Sequence, residues 1–154
     1  MKWSILKFGK HKGKSLPQVL FSDPDWFFWS IEQKAFKYED EQLIKEVIDI
    51  NKKARRIKIP VTEGNDLVAE YIIHPPTGKF GELRPVGRDI QRHSGSNRKD
   101  YIDMSAPRTI APYDKLGYKT MLKSMKFYLF GSTKHKMTKE RCEIFFSDEN
   151  NFVL

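Results

Sequence analysis

Cysteine and long apolar runs are almost absent from this chain of 154 residues. The single cysteine, Cys142, excludes a disulfide within the chain and is typical of a reducing compartment, so we expect a cytoplasmic location. No apolar run approaches the roughly 18 residues that a membrane-spanning helix needs. Residues 1–7 also lack the apolar core of a signal peptide. The sequence therefore predicts a protein that has no membrane partner.

Metal-binding and catalytic patterns are equally scarce. The four histidines lie far apart, and neither a His-x-x-x-His nor a Cys-x-x-Cys spacing occurs, which predicts no bound metal and no cofactor. The spacing around Gly9 is one residue too short for a Walker loop. One enzymatic alternative stays open, a small metal-dependent nuclease that binds Mg²⁺ through three carboxylates. These are Asp89, Asp100 and Asp103.

Positive charge is what the chain has in excess. Lysine and arginine number 28 against 20 acids, which gives a net charge of +8. Residues 1–37 and 55–154 are basic, and an acidic segment, 38–54, separates them. A positive excess of this size favours a polyanionic partner. The 11 Phe, 6 Tyr and 3 Trp are ample for a folded core.

The residue pattern predicts an α+β fold, with an N-terminal strand-loop-helix module followed by a short antiparallel sheet with packing helices. In the first region, 1–54, we expect a strand over 3–8, a glycine-containing turn and a short helix that begins after Ser15. Asp23 followed by Pro24 indicates the start of a second helix, which reaches about residue 34. A third helix is expected over 39–53.

In the second region, 55–154, the pattern first becomes that of a sheet. Alternating residues predict strands over 56–61, 66–73 and 80–85. The polar stretch 87–108 reads as a long exposed loop. Helices are expected over 112–130, ended by Gly131, and over 139–146, capped by Thr138. Whether the two regions form separate domains or one continuous domain stays open.

The basic loop between Gly9 and Gly13 is the first candidate binding site. The two glycines allow a tight turn whose backbone can approach a phosphate closely. The cationic side chains available there for phosphate contact are Lys10, His11, Lys12 and Lys14. The aromatic residues that follow, Trp26 to Trp29, match either a base-stacking surface or, more simply, the core that supports the loop.

Residues 4–33 resemble the C-terminal module of exodeoxyribonuclease X-like proteins. The resemblance depends on an aromatic residue before the glycine loop and on a Pro-Asp-aromatic helix with a tryptophan. The matching residues are Phe8 to Lys14, Asp23, Pro24, Trp26 and Trp29. It implies DNA binding rather than cleavage, because the Asp-x-Glu pair of the parent family's exonuclease site is absent. It also suits a protein encoded by a bacteriophage or mobile element and active in the bacterial host cytoplasm.

Two further basic stretches are candidates for phosphate contact. The stretch 88–108 interleaves arginines with small polar residues, a composition able to follow a phosphate backbone. Its candidate residues are Arg88, Arg92, Arg98 and Lys99. Lys134 and Lys136 precede the last helix, where the helix dipole also favours an anion. For each stretch, a merely solvated turn is the alternative.

The sequence thus predicts non-enzymatic binding of nucleic acid, DNA in preference to RNA, with little sequence dependence. A second reading is a protein-interaction or inhibitor factor directed at a host complex, for which exposed aromatic side chains would supply the contact. The metal-dependent nuclease is the third.

Overall fold

A computed structural model of the chain describes residues 2–60, 66–131 and 136–154. Its helices are α1 (Leu16–Ser22), α2 (Pro24–Glu32), α3 (Glu41–Lys53), α4 (Lys115–Phe130) and α5 (Lys139–Ser147). Its strands are β1 (Leu67–Ile73), β2 (Phe80–Gly87) and β3 (Ser96–Lys99), and two short 3₁₀ turns cover Ala106–Thr109 and Glu149–Asn151. The predicted α+β class is confirmed.

The three strands form one antiparallel sheet in the order β2-β1-β3. Central β1 carries four consecutive buried residues, and because successive side chains of a strand point to opposite faces, both faces of the sheet are covered there. Helix α4 packs against β2, whereas α5 packs against α1 rather than against the sheet. The expected sheet with packing helices is therefore present, with α5 assigned to a helical layer.

Side chains from both regions share one hydrophobic core. Phe21 of α1 lies edge-on to Phe145 of α5, with ring centroids 5.3 Å apart, and is tilted against Phe146 at 5.5 Å. Such offset aromatic pairs stabilise beyond the area that they bury. The N-terminal module is thus packed directly on the C-terminal helix.

Local chemistry explains where the helices begin and end. The backbone N–H of Ser15 donates to the side chain of Gln18 at the start of α1, and the Thr138 side chain accepts from the Arg141 N–H at the start of α5. Gly131 ends α4 in the left-handed conformation, with φ +78°. The predicted ends of these helices are confirmed to within a few residues.

Three expectations about strands were wrong. Residues 3–8 form no strand, although Leu6 exchanges backbone hydrogen bonds with Gly13 and Lys14. Within the described part of 56–61, pairing is limited to isolated bridges from Ile57 to Ile102 and Phe152. The stretch 87–108 is not one long loop, because β3 lies inside it and pairs with β1.

Candidate nucleic-acid interface

The glycine loop is closed by backbone hydrogen bonds. Leu6 N donates to Lys14 O and Gly13 N to Leu6 O, each at 2.9 Å, so the two ends of the loop are joined. Gly9 has φ +78°, and a Cβ added there would lie 3.0 Å from Trp26 Cζ2. Only glycine satisfies both the backbone conformation and the close approach of the indole ring. The loop is therefore held in one shape by its backbone and by α2.

Asp23 connects this loop to α4. One carboxylate oxygen, Oδ2, lies 2.9 Å from His11 Nε2 and 3.2 Å from Lys10 Nζ. The other, Oδ1, accepts a 2.8 Å hydrogen bond from the Tyr118 hydroxyl of α4. Burial alone would raise the pKa of Asp23, but the hydrogen bonds from His11, Tyr118 and Lys10 outweigh it and hold the pKa below its ordinary value. Asp23 is thus a charged acceptor between two basic elements.

Tyr118 also caps α2, a role that an aspartate immediately before a helix ordinarily fills with its own side chain. The Asp23 side chain makes no hydrogen bond to the first turn of α2; instead the Asp25 backbone N–H donates to the Tyr118 oxygen at 3.1 Å. The hydroxyl therefore donates to Asp23 and accepts from Asp25, which satisfies a free amide at the helix start. The Asp23 carboxylate is therefore available to accept hydrogen bonds from the glycine loop.

The predicted loop residues fall into two groups. Lys10, Lys12 and Lys14 are exposed, and 69% of the Lys10 side chain is accessible despite its ion pair with Asp23. Lys12 and Lys14 make no ion pair with any described residue. His11 is only 8% exposed, and its ring is edge-on to Trp26 at 5.1 Å. The histidine is therefore a buried support of the loop, and the geometry does not favour it as a phosphate contact.

Most of the basic residues predicted in 88–108 already make ion pairs or hydrogen bonds within the protein. Arg88 pairs with Asp66 at 3.0 Å and with Asp100 at 2.7 Å, and Lys99 pairs with Asp103 at 2.9 Å. Arg92 is exposed but donates to the Ser96 carbonyl. A charge that is already paired gains less from a phosphate, because the new contact must replace the old one.

Arg98 pairs with a buried acid inside the sheet, although its Nη2 is buried without a hydrogen-bond partner among the described residues. Its Nε donates at 2.8 Å to Glu70, which is fully buried on β1 and also accepts from Arg84 Nη2 at 3.0 Å. The two arginines stand directly opposite Glu70 on β3 and β2. Burial alone would raise the pKa of Glu70, but these hydrogen bonds lower it to about 2. Arg98 therefore stabilises the sheet.

The third predicted stretch is described only in part. Lys136 is exposed and lies two residues before the cap of α5. Lys134 lies outside the described residues.

A second basic surface lies on α4 and was missed by the sequence analysis. The lysines at 115, 119, 123 and 126 follow helical spacing and lie within one narrow arc of the helix surface. The first three are exposed, and none of the four pairs with an acid among residues 2–60, 66–131 and 136–154. Burial lowers the pKa of Lys126, and the neighbouring charge of Lys123 lowers it further. The spacing was readable in the sequence.

The glycine loop is joined through Asp23 to α4, the helix that carries the lysine face. Lys10 contacts one oxygen of that carboxylate and Tyr118 the other, and Lys119 is the next residue of α4. Trp29 of α2 follows Trp26 by three positions and is 49% exposed, whereas Phe27 and Phe28 are buried. The aromatic cluster is thus mainly core, with Trp29 at the surface near the loop.

Two of the three carboxylates proposed for Mg²⁺ are engaged elsewhere, whereas Asp89 is exposed and makes no ion pair with a described residue. Asp100 pairs with Arg88, and Asp103 pairs with Lys99 and accepts from the Ser105 hydroxyl. In the described parts of the chain, no three His, Cys, Asp or Glu side chains are grouped closely enough to hold a metal ion. Nor is any helix there long and apolar enough to cross a bilayer.

Comparison with protein-family models, with curated proteins and with solved structures gives no match. The resemblance of residues 4–33 to the exodeoxyribonuclease X module therefore stays a prediction, supported by the residues quoted for it.

Proposed function

We propose that the protein binds nucleic acid without catalysis, through the glycine loop and the α4 lysine face acting as one surface. The observation that carries this proposal is the Asp23 link, which connects Lys10 to Tyr118 of α4. This link fixes the loop that carries Lys12 and Lys14 to the helix that carries the α4 lysine face, so both groups of cations lie on connected, ordered elements. A rigid array of cations loses little freedom when it meets a phosphate backbone.

The composition of the surface favours binding with little sequence dependence. Lysine contacts phosphates as a point charge and carries little base information by itself. The partly exposed indole of Trp29 is available to stack on an unpaired base, a contact worth roughly 1–3 kcal/mol and tolerant of sequence. An unpaired strand is therefore the preferred ligand of this surface, and the resemblance of residues 4–33 favours DNA over RNA.

A salt titration tests the proposal. We expect fluorescein-labelled single-stranded DNA, duplex DNA and RNA to bind at low salt, with log affinity falling linearly against log salt. The double variant Lys12→Ala/Lys14→Ala and the double variant Lys119→Ala/Lys123→Ala should each reduce the slope by about 1.4–1.8, since each lost phosphate contact contributes about 0.7–0.9. Fluorescence anisotropy measures both quantities.

The matched control is Lys52→Ala/Lys58→Ala, which removes the same charge from positions distant in the chain from the loop and α4. It should change the slope far less. If none of the three ligands binds at low salt, or if the control lowers the slope as much as the loop variant does, the proposed surface is wrong. Incubation of plasmid DNA with Mg²⁺ or Mn²⁺ separately tests the nuclease alternative.

A further inference from the structure

An apolar groove lies between the end of α2 and the exposed side of α3. Its floor includes Phe36 and Val47, which are 6% and 8% exposed. Its walls include Ile31 on one side and, on the other, Ile44 and Ile48, which are one helical turn apart. We call this the α2–α3 groove; its volume is about 310 Å³. That volume is at the lower end for binding clefts and suits a few side chains of a peptide.

Much of this apolar surface is open to solvent. Ile48 is 66% exposed at the middle of α3. Exposure of an isoleucine side chain to water is unfavourable, so its place on the outer face of the helix does not stabilise the fold. Tyr38, in the segment between α2 and α3, is 88% exposed but does not line the groove. Apolar side chains grouped around a concavity are typical of an interaction site, whereas single exposed ones are not informative.

The charged residues that line the groove are both lysines, Lys34 and Lys37. Neither pairs with an acid among the described residues. The acids on the neighbouring helices already have partners: Glu32 pairs with Arg108, Glu41 with Lys45 and Asp49 with Lys53. The groove is therefore apolar with a positive rim, and its complement is an apolar group beside a negative one.

Lys34 also holds an unfavourable backbone conformation. Its φ is +57°, and it is the one residue other than glycine with a positive φ in the described chain. The bonds Lys34 N to Ile31 O and Ala35 N to Ser30 O form a Schellman motif, in which this position ordinarily holds glycine. A lysine there gives up stability and places a cation at the groove, a combination that points to a binding role.

We propose that the α2–α3 groove binds a peptide segment of a partner protein that presents large apolar side chains beside carboxylates. The apolar side chains enter the groove between Ile31 and Ile48, and the carboxylates meet Lys34 and Lys37. Nucleic acid is a poorer occupant, because five of the seven lining residues are apolar and a phosphate placed against them would lose hydration that only two lysines could replace. The proposal is independent of the nucleic-acid surface.

The first experiment selects ligands without bias. The full chain is used to select from a random displayed peptide library, and enriched peptides are labelled with fluorescein and titrated by anisotropy. We expect Phe, Leu or Ile flanked by Asp or Glu, and affinity lowered about tenfold or more by Ile48→Glu. The matched control is Ile144→Glu, which introduces the same charge at a 62% exposed isoleucine of α5 and should leave affinity unchanged.

The second experiment separates binding from folding. Lys34→Gly suits the left-handed position, so we expect the melting temperature to stay level or to rise by about 2–4 °C. The same variant should weaken the acidic peptides several-fold and reduce their salt dependence. A purely structural lysine would leave peptide affinity as it was. Nucleic-acid affinity should be kept in Lys34→Gly and weakened in Lys119→Ala/Lys123→Ala, which in turn should keep peptide binding.

Four outcomes would overturn the proposal. The selection gives no acidic and apolar consensus, or its peptides bind Ile48→Glu and Lys34→Gly as well as the original chain. Alternatively, Ile48→Glu abolishes self-association seen by analytical ultracentrifugation, which would make a second copy the occupant. Finally, Ile48→Glu lowers nucleic-acid affinity instead, which would make the groove part of the nucleic-acid surface.

Discussion

The glycine loop and the stretch 88–108 carry comparable positive charge in the sequence but differ in what the fold leaves available. Around the loop, Lys12 and Lys14 remain exposed, and the buried His11 and the partly buried Asp23 support the loop. In 88–108, Arg88, Arg98 and Lys99 each pair with a carboxylate of the same molecule. The number of cations in a stretch of sequence is thus a poor guide to whether that stretch forms a binding surface. What matters is whether the fold brings acidic side chains close enough to pair with those cations.

The paired region should show its largest effect in folding. Removing the carboxylate in Glu70→Ala leaves Arg98, which is mostly buried, without its main acceptor. Breaking a buried pair in this way costs about 3–5 kcal/mol, and urea unfolding measures the loss. The control Glu82→Ala removes an exposed acid from β2 and should change stability little. A Glu70→Ala protein as stable as this control would contradict the assigned role of the arginines.

The same carboxylate should make stability depend on pH. Because the folded-state pKa of Glu70 is lowered to about 2 from 4.5, its contribution is fully present above about pH 4.5 and is lost as pH falls towards 2. Glu70→Gln has no proton to bind and should lose this part of the acid dependence. Urea midpoints measured from pH 6 down to about pH 2 compare the two proteins. Parallel curves would show that other carboxylates account for the acid response.

Strand and helix ends were predicted where one local feature decides them. Ser15, Thr138 and Gly131 stand beside the helices that they begin or end, so their meaning needs no distant partner. Strand β3 has no such feature: it is short and polar, and it exists because central β1 offers a free edge. Pairing with β1 could not be deduced from the residues of β3 alone.

In the candidate site, too, features that depend on a local pattern were predicted and features that depend on a distant partner were not. The exposed lysines of the glycine loop were predicted because a turn with two glycines is a local pattern. The Asp23–Tyr118 bond joins residues 95 positions apart, and nothing near Asp23 in the sequence indicates it. The α4 lysine face lies between these cases, since its helical spacing was present in the sequence and the stripe was overlooked.

The glycine loop should respond to a change in shape before any charge is altered. Gly9→Ala must adopt φ +78° and place its Cβ 3.0 Å from Trp26 Cζ2, whereas Gly13→Ala meets strain at φ +93° but has open space around it. The strain shared by both variants is about 1–2 kcal/mol. We expect Gly9→Ala to lose more stability and also to weaken DNA binding, because Trp26 or the loop must shift. If urea unfolding shows that the two variants lose the same stability, the Trp26 contact does not contribute to the effect of Gly9→Ala.

The sharpest form of the comparison changes one exposed cation in each region. Lys12→Ala removes a lysine without a described ion-pair partner and should reduce the slope of log affinity against log salt by about 0.7–0.9. Arg88→Ala removes a cation held by Asp66 and Asp100, so the slope should stay the same, with little change in the urea midpoint. Exposed ion pairs of this kind contribute little to folding. If Arg88→Ala lowers the slope as much as Lys12→Ala does, then pairing does not withdraw a cation from the binding surface, and the stretch 88–108 returns as part of the interface.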